Sequence, residues 1–566
     1  MRLVVTIIAS LLLASVPSRA ASGVLERTYI VTDRDVYLAG EQVGCSAFCL
    51  DAATRRPSTV SSVAYLELHS AEGLALTAKI GLMDGRGAGF ISLPKNLPTG
   101  SYRLIAYTSL NKNEEGYDWN GVCSKTISVY NTRTRERVKG GVTVVDDLNA
   151  VAVSVVPSSS ASLQLEYPSQ AIAGEVVPLS LLLPEGGSVS VSVFREDAVP
   201  HRDNATIEAF LDEISGSVTS GVSGSFMPDY DGEVIRAHVA GIAPDKIAEV
   251  AGHTAFIAAP GNKSDVYYSV IDSLGQAVFY TGNIIGRKEL VSEIEDIDST
   301  STCHLEIVSP FVTPAVEAPA PLVLHPSLAE DLQSRSSAMQ VVSRFASDTL
   351  YEWLPVRDNL LFNEAGRITY HLDDYTRFPL MREVFVEFIP EIRARMLGGR
   401  RDIQVRLREN DVDSRFSEGS SLIMLDGVPV PDHDKIYNYD PLLVESINIY
   451  PFCHVVGPKQ FDGIVNFVTY KRNLPSMRFS GNVRVIDFQG VLYPMASTGL
   501  EAPAGLYPDY RQTALWHPLV DLEPGTGTSL EFHAPLRPGR YSIVVEGITS
   551  DGRPVYCRRQ IDIVME

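Results

Sequence analysis

Basic residues are scarce in this sequence. Of its 566 residues, 48 are Lys or Arg and 69 are Asp or Glu, which gives a formal net charge of −21. Proteins that bind nucleic acids neutralise phosphate groups with Lys and Arg, so this balance argues against a nucleic-acid partner. The hydrophobic fraction of 45% and the charged fraction of 21% are ordinary for globular proteins and exclude a disordered or fibrous chain. At roughly 100–200 residues per domain, the length indicates several domains.

Long hydrophobic runs are also missing, apart from one at the N-terminus. Residues 1–20 combine the basic residue Arg2, an apolar run over residues 3–14, and the small-x-small sequence Ser18-Arg19-Ala20. This order is typical of a signal peptide, and the run is too short for a membrane span of about 20 residues. The sequence therefore predicts an exported protein without a transmembrane segment of its own.

Cysteine is rare but present in an even number. The six residues are Cys45, Cys49, Cys123, Cys303, Cys453 and Cys557. In an oxidising compartment they permit up to about three disulfides, and the sequence leaves their connectivity open. Cys45 and Cys49 lie in a strand-like run, and four residues of strand span about 13 Å, so these two should not pair with each other.

Catalytic and metal-binding motifs are absent as well. The sequence has no Gly-x-Ser-x-Gly elbow and no His-Glu-x-x-His array. Asp432-His433-Asp434 lacks a further metal ligand and predicts a solvated loop, and residues 229–233 lack the alternating ligands of a calcium loop and predict a polar turn. We therefore predict no catalytic, cofactor-binding or metal-binding residues. A hydrolase that uses a pair of carboxylates remains an alternative function, because the distance between two carboxylates cannot be read from a sequence.

The sequence does contain a long succession of strand and turn patterns. Between residues 21 and 132, alternating segments such as residues 63–68 are separated by turn sequences at residues 85–89 and 97–100. This arrangement predicts a β-sandwich of about 100 residues.

Two segments of that sandwich resemble the macroglobulin domain of exported bacterial and complement-type proteins. They read TDRDVYLAGEQV at residues 32–43 and LPTGSYRLIAYT at residues 97–108, and the matching positions are Asp33, Tyr37, Gly40, Glu41, Gly100 and Tyr102. The resemblance implies that the opening strand pairs with the later Gly-x-Tyr strand. Tyr37 and Tyr102 would then be half-buried cross-strand aromatics. The Cys-Gly-Glu-Gln order of thioester macroglobulins is missing, because Cys45 follows Gly40-Glu41-Gln42.

Three further segments are predicted in the middle of the chain. Residues 148–200 repeat the Gly-Glu opening, apolar strand and Gly-Gly turn, and predict a second macroglobulin-like unit. Residues 203–310 are strand-rich and predict a third β unit. Residues 311–360 combine a Pro-rich connector with a helical pattern over residues 328–354.

A stronger helical pattern covers residues 379–396, and Pro390 should end or kink it.

Residues 361–477 resemble the plug domain of TonB-dependent receptors. The matching elements are a strand that ends at Asp426, Gly427, Val428 and Pro429, a strand entered through Glu445, Ser446 and Ile447, and a final strand opened by Gly463 and Ile464. The resemblance implies an α+β domain that contacts an outer-membrane barrel or another envelope protein. Residues 478–566 are too few for a receptor barrel, which needs roughly 200 residues at about 9–11 per strand, so we expect no barrel here.

Residues 478–566 resemble the terminal sandwich of exported Bacteroidota proteins that combine macroglobulin and plug-like modules. The predicted fold is mainly β, with tandem macroglobulin-like or immunoglobulin-like β-sandwiches, one α+β plug-like domain and a C-terminal β-sandwich. The resemblance implies a protein of the periplasm, outer membrane or cell surface of a Gram-negative bacterium. We expect a non-enzymatic binding or scaffolding protein without a cofactor. The alternatives are an accessory of a TonB-dependent transport system and an envelope hydrolase.

Overall fold

The computed structural model of the protein describes residues 24–146, 162–202, 204–216, 226–261, 265–282, 284–298, 301–345, 351–355, 362, 364–408, 414–499 and 509–566. The predicted signal peptide at residues 1–20 lies outside this part of the chain. Strands far outnumber helices, so the protein is mainly β, as predicted. In the described ranges, no helix is long and apolar enough to cross a membrane.

The N-terminal half of the chain consists mainly of short strands joined by turns. In chain order its elements are β1 (Glu26–Thr32), β2 (Val36–Leu38), β3 (Gln42–Asp51), β4 (Val63–Ser70), β5 (Gly73–Gly81), β6 (Arg86–Ser92), β7 (Gly100–Tyr107), β8 (Ser124–Tyr130), β9 (Val142–Val144), β10 (Gln164–Glu166), β11 (Gln170–Ile172), β12 (Val176–Leu182), β13 (Gly187–Arg195), α1 (Ile207–Gly216), β14 (Val234–Ala240), α2 (Ile247–Val250), β15 (Thr254–Ala259), β16 (Asp265–Val270), β17 (Gln276–Tyr280) and β18 (Arg287–Ile294).

The C-terminal half continues the same series. Its elements are β19 (His304–Ile307), β20 (Leu322–Leu324), α3 (Ala329–Phe345), β21 (Tyr351–Trp353), β22 (Ile368–His371), α4 (Met381–Phe388), β23 (Ile392–Leu397), β24 (Arg400–Arg408), β25 (Ser414–Phe416), β26 (Leu422–Leu425), β27 (Val428–Pro429), α5 (His433–Tyr437), β28 (Val444–Val456), β29 (Lys459–Thr469), β30 (Arg484–Gln489), β31 (Met495–Thr498), β32 (Thr513–Leu522), β33 (Gly527–His533), β34 (Gly539–Thr549) and β35 (Pro554–Val564).

The first sandwich packs the sheet β1-β3-β6 against the sheet β2-β8-β7-β4-β5. Alternating side chains of both sheets fill one core, to which β3 contributes Val43, Cys45, Ala47 and Cys49. A period of two places these four side chains on one face of the strand. All six cysteines of the chain are unpaired, and Cys45 and Cys49 are packed in this core as small apolar residues.

The predicted pairing of the opening strand with the Gly-x-Tyr strand is wrong. β2 pairs in parallel with β8, and β8 separates it from β7. Tyr37 and Tyr102 are fully buried rather than half-buried, at 0% and 1% exposure. The physical reason is that β8 alternates Ile127 and Val129 toward the core and takes the inner position, which leaves the three-residue β2 at the edge of the sheet.

The predicted boundaries of the second and the C-terminal sandwich are wrong, because strands from these two distant segments share the same sheets. β13 lies between β32 and β34 in a seven-stranded sheet, and β12 pairs with β33 in the opposite sheet. Residues 148–200 and 478–566 therefore do not form separate sandwiches. The reason is the burial of β13. Both of its faces are covered from Ser188 to Phe194, so its backbone N–H and C=O groups are shielded from water and need a hydrogen-bonded strand on each edge.

The two faces of β13 have different partners. Val189, Val191 and Val193 lie in the core of the second sandwich. The serines between them face the first sandwich, where the Ser190 and Ser46 hydroxyl oxygens are 2.6 Å apart. Strand β13, in which serines and valines alternate, thus connects the two sandwiches.

The third β unit also takes a strand from the C-terminal segment. Its sheets are β17-β14-β19 and β16-β15-β18-β30, and β30 pairs with β18 in antiparallel register. The segment after residue 477 therefore contributes to two different sandwiches instead of forming one of its own.

The plug-like region is α+β, as predicted. Its main sheet is β22-β28-β29-β26-β27, with α4 and α5 packed in the same hydrophobic core and the small sheet β23-β24-β25 beside it. The predicted helix at residues 379–396 is shorter than expected: α4 ends at Phe388, and β23 begins at Ile392. Pro390 has no N–H for a helical hydrogen bond, which ends the helix as predicted. The other predicted helix, at residues 328–354, is also shorter than expected: α3 ends at Phe345, and Tyr351–Trp353 form strand β21.

The shared sheet predicts how fragments of this protein fold. Residues 478–566 alone should show no cooperative urea unfolding by circular dichroism, because β32 and β34 lack the strand between them. A single chain that joins residues 162–198 to residues 509–566 through a short Gly-Ser linker should unfold cooperatively. The ends are close enough, since the Arg195 N–H donates to the Gln512 carbonyl at 2.9 Å. Cooperative unfolding of the 478–566 fragment would contradict the requirement for β13.

Candidate functional site

Asp33 is the centre of the macroglobulin-like motif. Its carboxylate accepts hydrogen bonds from the Tyr37 hydroxyl at 2.7 Å, the Gly44 N–H at 2.9 Å and the Thr513 hydroxyl at 2.7 Å. Burial raises the pKa of the Asp33 carboxyl, although Arg34 and these hydrogen bonds oppose the shift. Because Thr513 begins β32, this carboxylate connects the first and second sandwiches.

The turn that follows is held by Gly40 and Glu41. Gly40 has a φ of +95°, a backbone conformation that glycine adopts without strain. The Glu41 carboxylate accepts a hydrogen bond from the Leu38 N–H at 2.7 Å and forms an ion pair with Arg34 at 3.1 Å. Residues 33–42 are called the opening loop below.

Gly100 and Tyr102 have structural roles away from the opening loop. The Tyr102 hydroxyl donates to the Pro98 carbonyl at 2.7 Å. A Cβ at Gly100 would lie 2.7 Å from the Val138 side chain, so only glycine fits this approach. The structure therefore brings together the first four motif residues but not these two.

The opening loop forms one wall of a cavity of about 560 Å³, the junction cavity. Helix α3 forms a second wall, and the strands of the second sandwich form a third. The polar and aromatic lining includes Arg34, Gln42, Arg335, Arg511, Trp516 and Arg537, and Asp33, Gly40, Glu41, Phe90, Ala338 and Trp353 also line it. A volume of 300–1,000 Å³ is typical of small-molecule sites.

Three of the four arginines that line the junction cavity have carboxylate partners. Arg34 contacts Asp33 and Glu41, Arg335 contacts Asp197, and Arg511 contacts Asp509 at 2.6 Å. Buried guanidinium groups need such partners, because desolvation of an unpaired charge costs several kcal/mol.

Arg537 is the exception. Its guanidinium donates to the Gln512 side-chain oxygen at 3.1 Å and to the Ser334 hydroxyl at 2.9 Å. In the described part of the chain, no carboxylate lies within ion-pair distance of it. Burial and the neighbouring Arg195 lower the pKa of Arg537. The junction cavity therefore contains a guanidinium group that no carboxylate of the described residues contacts directly.

Several buried polar atoms of the cavity walls also lack hydrogen-bond partners. Within the described residues, these are the Trp516 Nε1, one terminal nitrogen of Arg34 and the side-chain oxygen of Gln42. Each unsatisfied buried group costs about 1–3 kcal/mol. Because these three atoms have almost no accessible surface, they lie within the walls and do not face the interior of the cavity.

Trp516 is held in the wall by a close approach to Gly44. The tryptophan is 1% exposed, and a Cβ at Gly44 would lie 2.7 Å from its Nε1. The sequence predicted none of the cavity residues outside the opening loop, because Trp516, Arg335 and Arg537 have no local motif and meet only in the folded chain.

The plug-like motif forms a second buried carboxylate centre. Asp426 accepts hydrogen bonds from the Thr469 N–H at 2.6 Å, the Thr469 hydroxyl at 2.7 Å and the Leu474 N–H at 2.9 Å. The Gly427 N–H donates to the Asn466 side chain at 3.0 Å, and Val428 and Pro429 pair with the preceding strand. These residues connect the end of β26 to the end of β29.

The other plug-like residues also stabilise the sheet. Gly463 has a φ of +85°, and a Cβ there would lie 2.6 Å from the Val405 side chain. Ile447 and Ile464 are fully buried, and Ser446 pairs with Val468. Glu445 forms a partly exposed ion pair with Arg472 at 3.1 Å. None of the plug-like motif residues lines the junction cavity.

One of two polar clusters differs from its predicted environment. Asp432-His433-Asp434 is not a solvated loop: it begins α5, Asp432 caps the helix, and the His433 Nδ1 accepts the Ile403 N–H at 3.0 Å. The polar turn predicted at residues 229–233 is present: Tyr230 is 57% exposed, whereas Asp229 is buried and accepts the Ser109 hydroxyl at 2.6 Å.

No family model matches this chain, and no curated protein matches it in sequence. Three solved structures are similar to it: trypsin-activated alpha-2-macroglobulin from Escherichia coli (10% identity, TM-score 0.23, covering 95% of this chain and 41% of that one), the native conformation of E. coli alpha-2-macroglobulin (9%, 0.24, 96% and 40%) and Salmonella alpha-2-macroglobulin reacted with methylamine (10%, 0.23, 96% and 40%). The chain spans about two-fifths of the length of these structures.

An ion pair beside the opening loop predicts a pH dependence of stability. The His201 Nδ1 lies 2.6 Å from the Asp35 carboxylate. Burial lowers the pKa of His201, but Asp35 outweighs it and the net shift is upward. For Asp35, burial raises the pKa, but His201 outweighs it and the net shift is downward. The pair thus stabilises the fold most between the unfolded pKa values of about 3.9 and 6.5.

His201→Gln should therefore lose more stability at pH 5.5 than at pH 9. The reason is that the folded protein holds the His201 proton more tightly, so its contribution disappears as pH rises through the raised pKa. Urea unfolding at both pH values measures the difference, and His238→Gln, at an exposed histidine, is the control. An equal loss at both values would contradict a charged pair.

Proposed function

We propose that this protein is a non-enzymatic binding protein of the cell envelope and that the junction cavity is its binding site. The observation that supports the proposal is the cavity itself: it is preformed, it has the volume of a small-molecule site, and its lining includes Arg537, a guanidinium group without a direct carboxylate contact in the described part of the chain.

The chemistry of the walls favours binding over catalysis. Four of the charged groups are arginines, which stay protonated in proteins and do not exchange protons with a substrate. The two carboxylates, Asp33 and Glu41, are each occupied by hydrogen bonds that hold the opening loop. Such groups hold charge in fixed positions but are poor general acids or bases.

The proposed location in the envelope rests on the sequence. Residues 1–20 have the order of a signal peptide, and all three resemblances are to exported proteins. The sandwiches serve as a rigid frame in this proposal, because the shared strand β13 and the Asp33 carboxylate fix the cavity walls relative to one another.

A second function, as an accessory of a TonB-dependent transport system, is favoured by one feature of the plug-like region. The hairpin of β23 and β24 carries six arginines, Arg393, Arg395, Arg400, Arg401, Arg406 and Arg408, in a chain of net charge −21. Met396 and Leu397 at its tip are 57% and 55% exposed. Exposed apolar residues ringed by charge are typical of protein contact sites, and an outer-membrane protein with an acidic surface would fit this one.

The binding function predicts that filling the cavity abolishes ligand uptake. Ala338 lines the cavity from α3 and is 5% exposed, so Ala338→Phe should occupy the space. The fluorescent ring compounds N-phenyl-1-naphthylamine and 8-anilinonaphthalene-1-sulfonate report binding by increased emission. At least one should bind the native protein saturably at one site, and A338F should weaken it at least about tenfold, or about 1.4 kcal/mol.

Ser337→Phe is the matched control, because Ser337 precedes Ala338 on the exposed side of α3. It adds the same ring without entering the cavity, and its probe binding should equal that of the native protein. Failure of both probes to bind the native protein saturably, or equal binding by A338F, would overturn the cavity as a binding site.

The transport function predicts a contact at the arginine hairpin. A photocrosslinking residue in place of Leu397 should capture an outer-membrane barrel or a TonB-system protein in intact cells. The same residue in place of Met83, which is 64% exposed in the first sandwich, is the control and should not. Identical products at both positions, or no protein product at residue 397, would contradict this function.

A further inference from the structure

The charges around the junction cavity do not balance. Its three paired arginines meet the carboxylates of Asp33, Glu41, Asp197 and Asp509. Arg537 has no carboxylate partner among the residues described, and neither has the adjacent Arg195, whose Nε also lacks a hydrogen bond. Arg195 lies behind the lining, and Asp197 acts on both Arg195 and Arg537 only at longer range, so the positive charge without a direct partner is confined to the Arg537 side of the cavity.

The electrostatic excess selects the sign of a ligand. A bound cation would approach guanidinium groups that already repel each other: burial, and next the charge of Arg195, lower the pKa of Arg537. An anionic group would instead supply the missing partner, and the planar fork of arginine matches the oxygens of a carboxylate, phosphate or sulfonate.

The aromatic residues of the cavity walls indicate the chemistry of the uncharged part of the ligand. Trp516 and Phe90 are nearly buried, and the Phe90 and Trp353 rings meet edge to face with centroids 6.0 Å apart. Flat apolar rings pack well against an exposed aromatic side chain, and among these three residues that side chain is Trp353. Trp353 is 47% exposed and lies where the cavity meets solvent.

We propose that the ligand of the junction cavity is an organic anion, an acidic group joined to a ring system, with the acidic group at Arg537 and the rings against Trp353. This inference rests on the proposed binding function and names the ligand class for the same site. A ring compound alone would leave Arg537 unpaired, and an inorganic anion alone would leave the aromatic walls uncovered.

The two fluorescent probes separate this inference from the binding function, because they share a ring system and differ by one sulfonate. The native protein should bind 8-anilinonaphthalene-1-sulfonate about 10- to 100-fold more tightly than N-phenyl-1-naphthylamine, the range expected for a charge-assisted hydrogen bond. Its affinity for the sulfonate should fall with added NaCl, whereas its affinity for the neutral probe should not.

Arg537→Gln should remove the preference by weakening the sulfonate probe to the level of the neutral one. Arg540→Gln is the matched control, because Arg540 is exposed and pairs with Asp562 outside the cavity. Should R537Q fail to fold, the salt dependence of the native protein decides the question. Equal affinity for both probes, or a preference unchanged by R537Q, overturns the anion inference and leaves the binding function standing. Failure of both probes to bind overturns the binding function itself.

Discussion

The structure depends on one strand, β13, which is covered on both faces and both edges. Its edges pair with β32 and β34, its valine face belongs to the core of the second sandwich, and its serine face packs on the first sandwich. Without this central strand, β32 and β34 would each have an unpaired edge, so β13 connects the first sandwich to the C-terminal strands. Strand β32, which carries Thr513 and Trp516, is thereby held against the opening loop.

The junction cavity follows from that constraint. The Asp33 carboxylate bridges the gap between the sandwiches through Thr513, and the paired arginines supply charged walls at a desolvation cost that their carboxylates offset. Where one guanidinium is left without a carboxylate, at Arg537, a polar site results rather than a simple packing interface.

The two sequence motifs have a common physical basis. In each, a buried aspartate at a loop or turn accepts three hydrogen bonds, at least one of them from a distant strand: Asp33 at the opening loop and Asp426 after β26. In each, a glycine with positive φ, Gly40 or Gly463, follows where a side chain would be strained. Both motifs thus lie where segments that are distant in the chain are connected by hydrogen bonds. Of the two, the Asp33 motif also borders the junction cavity.

Local sequence patterns were sufficient for the elements whose cause is local. The alternation of residues 63–68 predicted a strand, and Pro390 predicted the end of α4, since each depends on side-chain period or backbone geometry alone. Strand partners were beyond reach, because β13 pairs with strands from the far end of the chain and β2 pairs with β8 rather than β7. The cavity was beyond reach for the same reason. Arg335, Trp516 and Arg537 are unremarkable in sequence and acquire their environment only when helix α3 and the second sandwich close on the opening loop.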